Sequence, residues 1–192
     1  MYKTKNPSAI RSQKDITKAL LNLMNEYPYE EISVKQILID AKLARKTFYR
    51  NFKSKDDVLL SLIREKLFCY FQIVNKGDVD VLSTIFSFAV KNRELLMLLE
   101  RNNLLHVVLQ CMNENIGLHK TKYVSKNNPF VRLFDGLDSE YLISLNIGAI
   151  WNVITLWIHE GMKDDPEYIK NSISKYLMSL SEENIISWSP KY

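Results

Sequence analysis

Ala44-Arg45-Lys46-Thr47-Phe48-Tyr49-Arg50-Asn51-Phe52 sets two aromatic rings four residues apart among three basic side chains and a phenol. That spacing puts Phe48 and Phe52 on one face of a helix and leaves Arg45, Lys46, Tyr49 and Arg50 on the other, with Thr47 near the edge. A two-turn helix does not hold its shape alone in water, so the aromatic face must be anchored on other elements. What then points outward is a cluster of hydrogen-bond donors, with Arg45 and Lys46 at the N-terminal end.

A second short helix precedes it. Ser33 followed three residues later by Gln36 is the reciprocal capping-box pattern, and Val34, Ile37, Leu38 and Ala41 make the apolar face. About three residues separate the two pieces, which is the helix-turn-helix arrangement. An αα-hairpin with a merely solvated basic exterior has the same outline. The alternative is a narrow, rear-anchored helix whose side chains reach base edges and phosphates in the major groove of DNA. Ser54-Lys55-Asp56-Asp57 then reads as the cap of a further helix, with two carboxylates at the positive end of its dipole. Lys55 adds a donor beside that helix terminus, where a phosphate fits.

The rest of the chain is also helical in pattern, and the fold class is all-α. Upstream, Ile16, Ala19, Leu20, Leu23 and Met24 recur at helical spacing after Ser12, and Tyr27-Pro28 ends the run. Downstream, Val58, Leu59, Leu62, Ile63 and Leu67 continue the helix begun at Ser54. Leu82, Ile85, Phe86 and Ala89 make another face, and Leu105, Val108, Leu109, Met112 and Ile116 a third. The stretch from His119 to Asp135 reads as a helix end and a loop, and Asp138 as a cap. Asp165-Pro166-Glu167 starts a last helix whose buried stripe reads Ile169, Ile173, Tyr176, Leu177 and Leu180. No stretch alternates with period two, and no repeat recurs at a fixed period.

Charge divides the chain. Residues 1–66 hold 14 Lys/Arg against 8 Asp/Glu, a balance of +6, so residues 67–192 hold the remaining 12 against 14, or −2. A basic N-terminal module facing a polyanion and a C-terminal part with another task fit this asymmetry. The five glycines form no phosphate-cradling loop, and no nucleophile elbow or paired-histidine metal motif is present. His106, His119 and His159 stand far apart, and Cys69 and Cys111 are 42 positions from each other. No metal, cofactor or enzymatic activity is implied. With no secretory signal at the start and no disulfide framework, the expected location is the cytoplasm.

From Tyr141 to Ile158, 13 of 18 residues are apolar. A membrane span needs about 20, and Asn146 and Asn152 would lack partners in lipid. A helix apolar nearly all round must be covered on both faces. A second copy of the chain covers the outer one most simply, the 141–158 helix and the 166–187 helix forming a four-helix interface about a two-fold axis.

Residues 47–59, Thr-Phe-Tyr-Arg-Asn-Phe-Lys-Ser-Lys-Asp-Asp-Val-Leu, resemble the T-[LIF]-Y-x-x-F-x-[SN]-K-[ED]-x-[LV]-[LI] signature of TetR-type transcriptional regulators. Ile32-Ser33-Val34-Lys35-Gln36-Ile37 is similar to that family's second-helix opening, and the resemblance is strongest over residues 10–65. It implies a three-helix DNA-binding domain over residues 1–55 and a helical effector-binding and dimerisation domain over 56–192. It implies a homodimeric repressor on a palindromic operator, released by a small-molecule effector. Ser33 and Lys35 would contact backbone and base, Arg45 and Lys46 would read bases, Thr47 and Tyr49 would meet the backbone, and Lys55 a phosphate. Arg50 and Lys42 complete the expected DNA-binding set. Lys42 and Ala44 stand where the family usually has Gly and Ser, each at a cost on the order of 1 kcal/mol. An effector pocket comes only with the resemblance. Phe88, Met97, His106, Cys111, Tyr123 and Trp151 are the aromatic, soft or polar residues expected near it, each of which also reads as plain core, and the effector would be small and apolar or aromatic. Some members of the family activate or act as partners of other proteins. The competing reading is therefore a cytoplasmic helical dimer that binds a ligand or protein as a coactivator without repressing through an operator.

Overall fold

The computed structural model describes residues 6–74, 80–114 and 139–182. Among them the chain forms nine α-helices, one 3-10 turn and no strand. In order these are α1 (Pro7–Glu26), the turn Tyr29–Glu31, α2 (Val34–Ala41), α3 (Arg45–Asn51), α4 (Lys55–Val74), α5 (Val81–Lys91), α6 (Arg93–Arg101), α7 (Leu105–Asn113), α8 (Ser139–His159) and α9 (Pro166–Glu182). Ile116, the 119–135 stretch with Tyr123, the Asp138 cap and residues 183–187 lie outside the described residues.

α1 starts earlier than its apolar spacing suggests. Asn6 accepts the Ser8 N–H at 3.0 Å and Pro7 occupies the first turn, while Ser12 lies inside the helix with its hydroxyl on the Ser8 carbonyl. The apolar stripe begins only at Ile16 because the first turns bury nothing; Ile16, Ala19, Leu20 and Met24 then face the core. α1 packs against α2, α3 and α4, and Ile16, Leu20, Ile37 and Phe48 are shut off from solvent. Burying a side chain of this size stabilises by about 1.5–3 kcal/mol, which is what fixes two short helices in place.

α4 packs against α1 and also against α5 and α7, so the core runs on without interruption past residue 55, the expected domain boundary. Its start is closed reciprocally: Ser54 accepts the Asp57 N–H at 3.2 Å, and Asp57 accepts the Lys53 N–H at 2.9 Å. Asn92 ends α5 and begins α6, its side chain donating to the Phe88 carbonyl at 2.8 Å. Two contacts tie α6 to the end of α8. Arg93 donates to the carbonyls of Gly161 and Met162 at 2.7 and 2.9 Å, and Glu100 meets His159 at 2.6 Å.

Three helices stop in the same way. Leu43 N–H bonds back to Leu38, Leu104 to Leu99, and Met162 to Trp157, with Lys42, Asn103 and Gly161 left-handed just before. This is the Schellman arrangement, which uses carbonyls that a helix end leaves open.

α8 has two unlike faces. Ile150, Trp151, Ile154, Trp157 and Ile158 are buried, whereas Tyr141, Leu145, Gly148, Ala149, Asn152 and Leu156 form an exposed stripe. On α9 Leu177 is buried and Ile169 and Ile173 are half-buried, but Tyr176, read from its spacing as core, is 63% exposed. The expected stripe was wider than the face the protomer itself covers.

Candidate nucleic-acid interface

The α2–α3 unit presents one charged face. Ser33 and Gln36 form the capping box: Gln36 N–H donates to Ser33 Oγ at 3.3 Å, and Ser33 N–H to Gln36 Oε1 at 2.8 Å. At the turn, Lys42 has φ 53° and ψ 43°, so a lysine holds the conformation that glycine adopts freely. Ala44 begins α3 with no side-chain cap. Phe48 is buried, edge-on to Tyr49 at 5.4 Å and tilted against Phe52 at 6.1 Å, so the aromatic face anchors α3 from behind.

Lys35, Lys42, Arg45, Lys46, Arg50 and Lys53 are all exposed, as are Ser33 and Tyr49, and Thr47 is half-buried. Between residues 33 and 53 the only acid is Asp40. Among the described residues none of these six cations forms an ion pair. Their charge is therefore open to an external anion. The Arg45 guanidinium lies 5.5 Å from the centroid of the Tyr49 ring, a stacking that orients it before any partner arrives.

Lys55 is placed differently from its expected phosphate role. Its ammonium donates to the carbonyls of Tyr29 at 2.6 Å and Glu30 at 3.1 Å, 4.5 Å from the Tyr29 ring centroid. The carbonyl end of the Tyr29–Glu31 turn draws it inward. Lys53, which spacing did not single out, is exposed beside it. The Tyr29 hydroxyl donates to Asp56 at 2.6 Å; burial first, then that bond and the Asp56 charge, hold the phenol in its protonated form.

The residues expected near an effector separate into two groups. Cys111 and Trp151 are buried in the common core, with Phe88 and Met97 packed against it, and the Phe88 ring lies 5.6 Å from Tyr70. Burial raises the Cys111 thiol pKa, and the Glu114 charge adds to this. His106 stands outside, its Nδ1 3.1 Å from the Asn103 carbonyl, because Leu105, Val108 and Met112 take the inner face of α7. Tyr123 lies outside the described residues. A cleft of about 270 Å³ opens elsewhere, between residues 24–30 and 101–103, where the end of α1 meets the α6–α7 turn. Nothing in the sequence marks it. Among the described residues no group of His, Cys, Asp and Glu could hold a metal ion, and no helix is long and apolar enough to cross a membrane.

Residues 16–62 match the family described as bacterial regulatory proteins, tetR family. The chain is 24% identical over 181 residues to the fatty acid metabolism regulator protein of Bacillus subtilis (strain 168), covering 85% of this chain and 92% of that protein. It is 39% identical over 70 residues to the HTH-type dhaKLM operon transcriptional activator DhaS of Lactococcus lactis subsp. lactis (strain IL1403), 36% of each chain. Among solved structures, the fatty acid degradation regulator FadR from Bacillus halodurans superposes with a TM-score of 0.63 at 19% identity, over 91% of this chain and 96% of that one. The transcriptional regulator FadR from Bacillus subtilis in complex with stearoyl-CoA does so at 0.55 and 22%, over 85% and 96%. These two likenesses establish a common fold.

Proposed function

We propose that this DNA-binding transcriptional regulator, whose residues 16–62 match the tetR family of bacterial regulatory proteins, is a cytoplasmic homodimeric repressor of that family that leaves a palindromic operator when an apolar effector binds. The observation that carries this reading is the α2–α3 face, with six unpaired cations around a ring-anchored helix. Residues 1–55 read the operator and residues 56–192 bind effector and partner. Arg45 and Lys46 read base edges; Ser33, Lys35, Lys42, Thr47, Tyr49 and Arg50 add base and phosphate contacts. Lys55 serves first to hold the Tyr29–Glu31 turn, and reaches a phosphate only by leaving two carbonyls.

The dimer forms through the exposed stripe of α8, where Leu156 is 58% exposed, and the outer side of α9. Two-fold symmetry sets the recognition helices about 34 Å apart, or a multiple of that, to meet successive major grooves. The effector enters the core lined by Phe88, Met97, Cys111 and Trp151 and favours a conformation that no longer fits the operator, because it binds that state more tightly. The apolar core, the likeness to a fatty acid metabolism regulator over 85% of this chain and the stearoyl-CoA complex of a regulator of the same fold make a long-chain acyl-CoA the effector class to test. Function rests on binding, with no turnover and no cofactor.

The competing reading, a cytoplasmic helical dimer that acts as a ligand-binding or protein-binding coactivator without repressing through an operator, has less support. Selection from a random duplex library separates the two. The repressor reading expects a two-fold palindrome, an affinity that falls roughly 10³-fold between about 50 and about 200 mM salt, and release on adding stearoyl-CoA. Arg45→Ala should relax selection at one base pair and cost about 1–3 kcal/mol of operator binding. Recovery of no sequence above background, at any salt, would transfer the function to the partner-binding reading.

A further inference from the structure

Asn102 joins two stretches that are distant in sequence, residues 24–29 and the end of α6. Its Oδ1 accepts the Tyr29 N–H at 2.9 Å, and its Nδ2 donates to the Leu98 carbonyl at 2.9 Å and the Met24 carbonyl at 3.3 Å. Leu98 and Met24 lie in the last turns of α6 and α1, where carbonyls have no partner within the helix. One amide therefore closes two helix ends and holds the connector between α1 and α2. Its neighbour Arg101 reinforces the join by donating to Asn25 at 3.1 Å.

Tyr29 is gripped from the other side as well. Its hydroxyl donates to Asp56 and its carbonyl accepts from Lys55, and these two residues open α4, the helix that follows α3. Both ends of α6 are fastened to the end of α8, the start through Arg93 and the last turn, beside Asn102, through Glu100 with His159. A line of hydrogen bonds and one ion pair thus runs from α8, through α6 and Asn102, to Tyr29 and the start of α4. Along the cleft between residues 24–30 and 101–103 this join is made by directional hydrogen bonds, which fix an angle as well as a distance.

We propose that Asn102 is a positioning residue for operator recognition: through Tyr29 it sets the angle at which each N-terminal module leaves the dimer, and so the half-site spacing that the dimer accepts. The inference rests on the DNA-binding dimer of the preceding subsection. One base pair added between half-sites moves the second by about 3.4 Å along the duplex and turns it by about 34°. A module held at a fixed angle cannot follow that turn, and one released from its pin can.

The test uses the full chain and the palindrome recovered by library selection, with versions carrying one base pair more or one less between half-sites. The wild type should prefer the original spacing by about tenfold or more, as for other single departures from a specific site. Asn102→Ala should bind the original more weakly and prefer it by less than about threefold, with the salt dependence of binding unchanged because no phosphate donor is lost. A merely structural loss would lower all three affinities together. Retention of the wild-type spacing preference in a folded Asn102→Ala dimer overturns the proposal. Should that variant fail to fold by circular dichroism, Asn102→Asp decides in the same way, since it keeps the acceptor for Tyr29 and loses both donors. Failure of the DNA-binding reading looks different: the wild type itself recovers no duplex, and this inference falls with it.

Discussion

The N-terminal module turns its apolar residues inward and its charge outward, whereas the helices that close the chain do the reverse along one stripe. Phe48, Ile37 and Leu20 are sealed and their neighbours are cations. On α8, the face opposite Trp151 and Trp157 carries Tyr141, Leu145 and Leu156 into solvent. The first surface suits a hydrated polyanion, whose affinity is electrostatic and long in reach. The second suits a copy of itself, because apolar area is worth nothing until something covers it. On the proposed dimeric reading, one chain carries two binding surfaces governed by different forces, and salt should act on them in opposite ways.

The sharpest way to break this contrast is to empty the anchor. Phe48→Ala should cost about 3–5 kcal/mol in chemical denaturation and abolish operator binding; a loss below about 1 kcal/mol would mean that α3 is held by something other than its ring. Leu156→Glu addresses the other surface. It should weaken dimerisation by about ten- to a hundredfold in analytical ultracentrifugation while helix content is kept, in line with the loss of one buried side chain. An unchanged mass across micromolar concentrations would show that the stripe is covered in another way.

Smaller effects sharpen the comparison. Lys42→Gly should raise the unfolding free energy by about 1 kcal/mol, because a left-handed residue costs least as glycine. The same variant should lower the salt slope of operator binding by about one unit if Lys42 meets a phosphate. The opposing signs separate fold from function at a single position. The smallest effect joins α4 to α7, where Arg64 and Glu114 pair at 2.8 Å. The hydrogen bond from Arg64 holds the Glu114 carboxyl below its usual pKa. Its stabilisation is thus complete at neutral pH and is lost as pH falls through that lowered value. Because both side chains are well exposed, Glu114→Gln should cost only about 0.3 kcal/mol at neutral pH and nothing in acid, by denaturation at the two pH values.

Legibility in the sequence follows range. Ser33 with Gln36, Phe48 with Phe52, and Asp165 with Glu167 act over two to four residues, and all are found where spacing puts them. The start of α1 was also written locally, in Asn6-Pro7, but apolar periodicity overlooks a turn that buries nothing. Lys55 and His106 depend on what approaches from elsewhere: a carbonyl turn 25 residues upstream draws one inward, and the packing of α7 leaves the other outside. Tyr176 reads as core on its helix and is exposed in the protomer, since periodicity marks an apolar face without saying what will cover it. Asn102 carries no sign at all, because an asparagine after a helix is by default a local cap, and its bonds to Met24 and Tyr29 span more than 70 residues.

The Tyr29 amide has a kinetic meaning of its own. Most protected amides in a helical protein report the fraying or melting of their own helix, since their acceptors lie four residues away. This one is held by a side chain 73 residues further along, at the join of the module to the rest of the chain. Its hydrogen leaves for solvent only when that join opens. The protein thus contains a natural clock for the opening of this join, readable at one amide while the helices on either side remain folded.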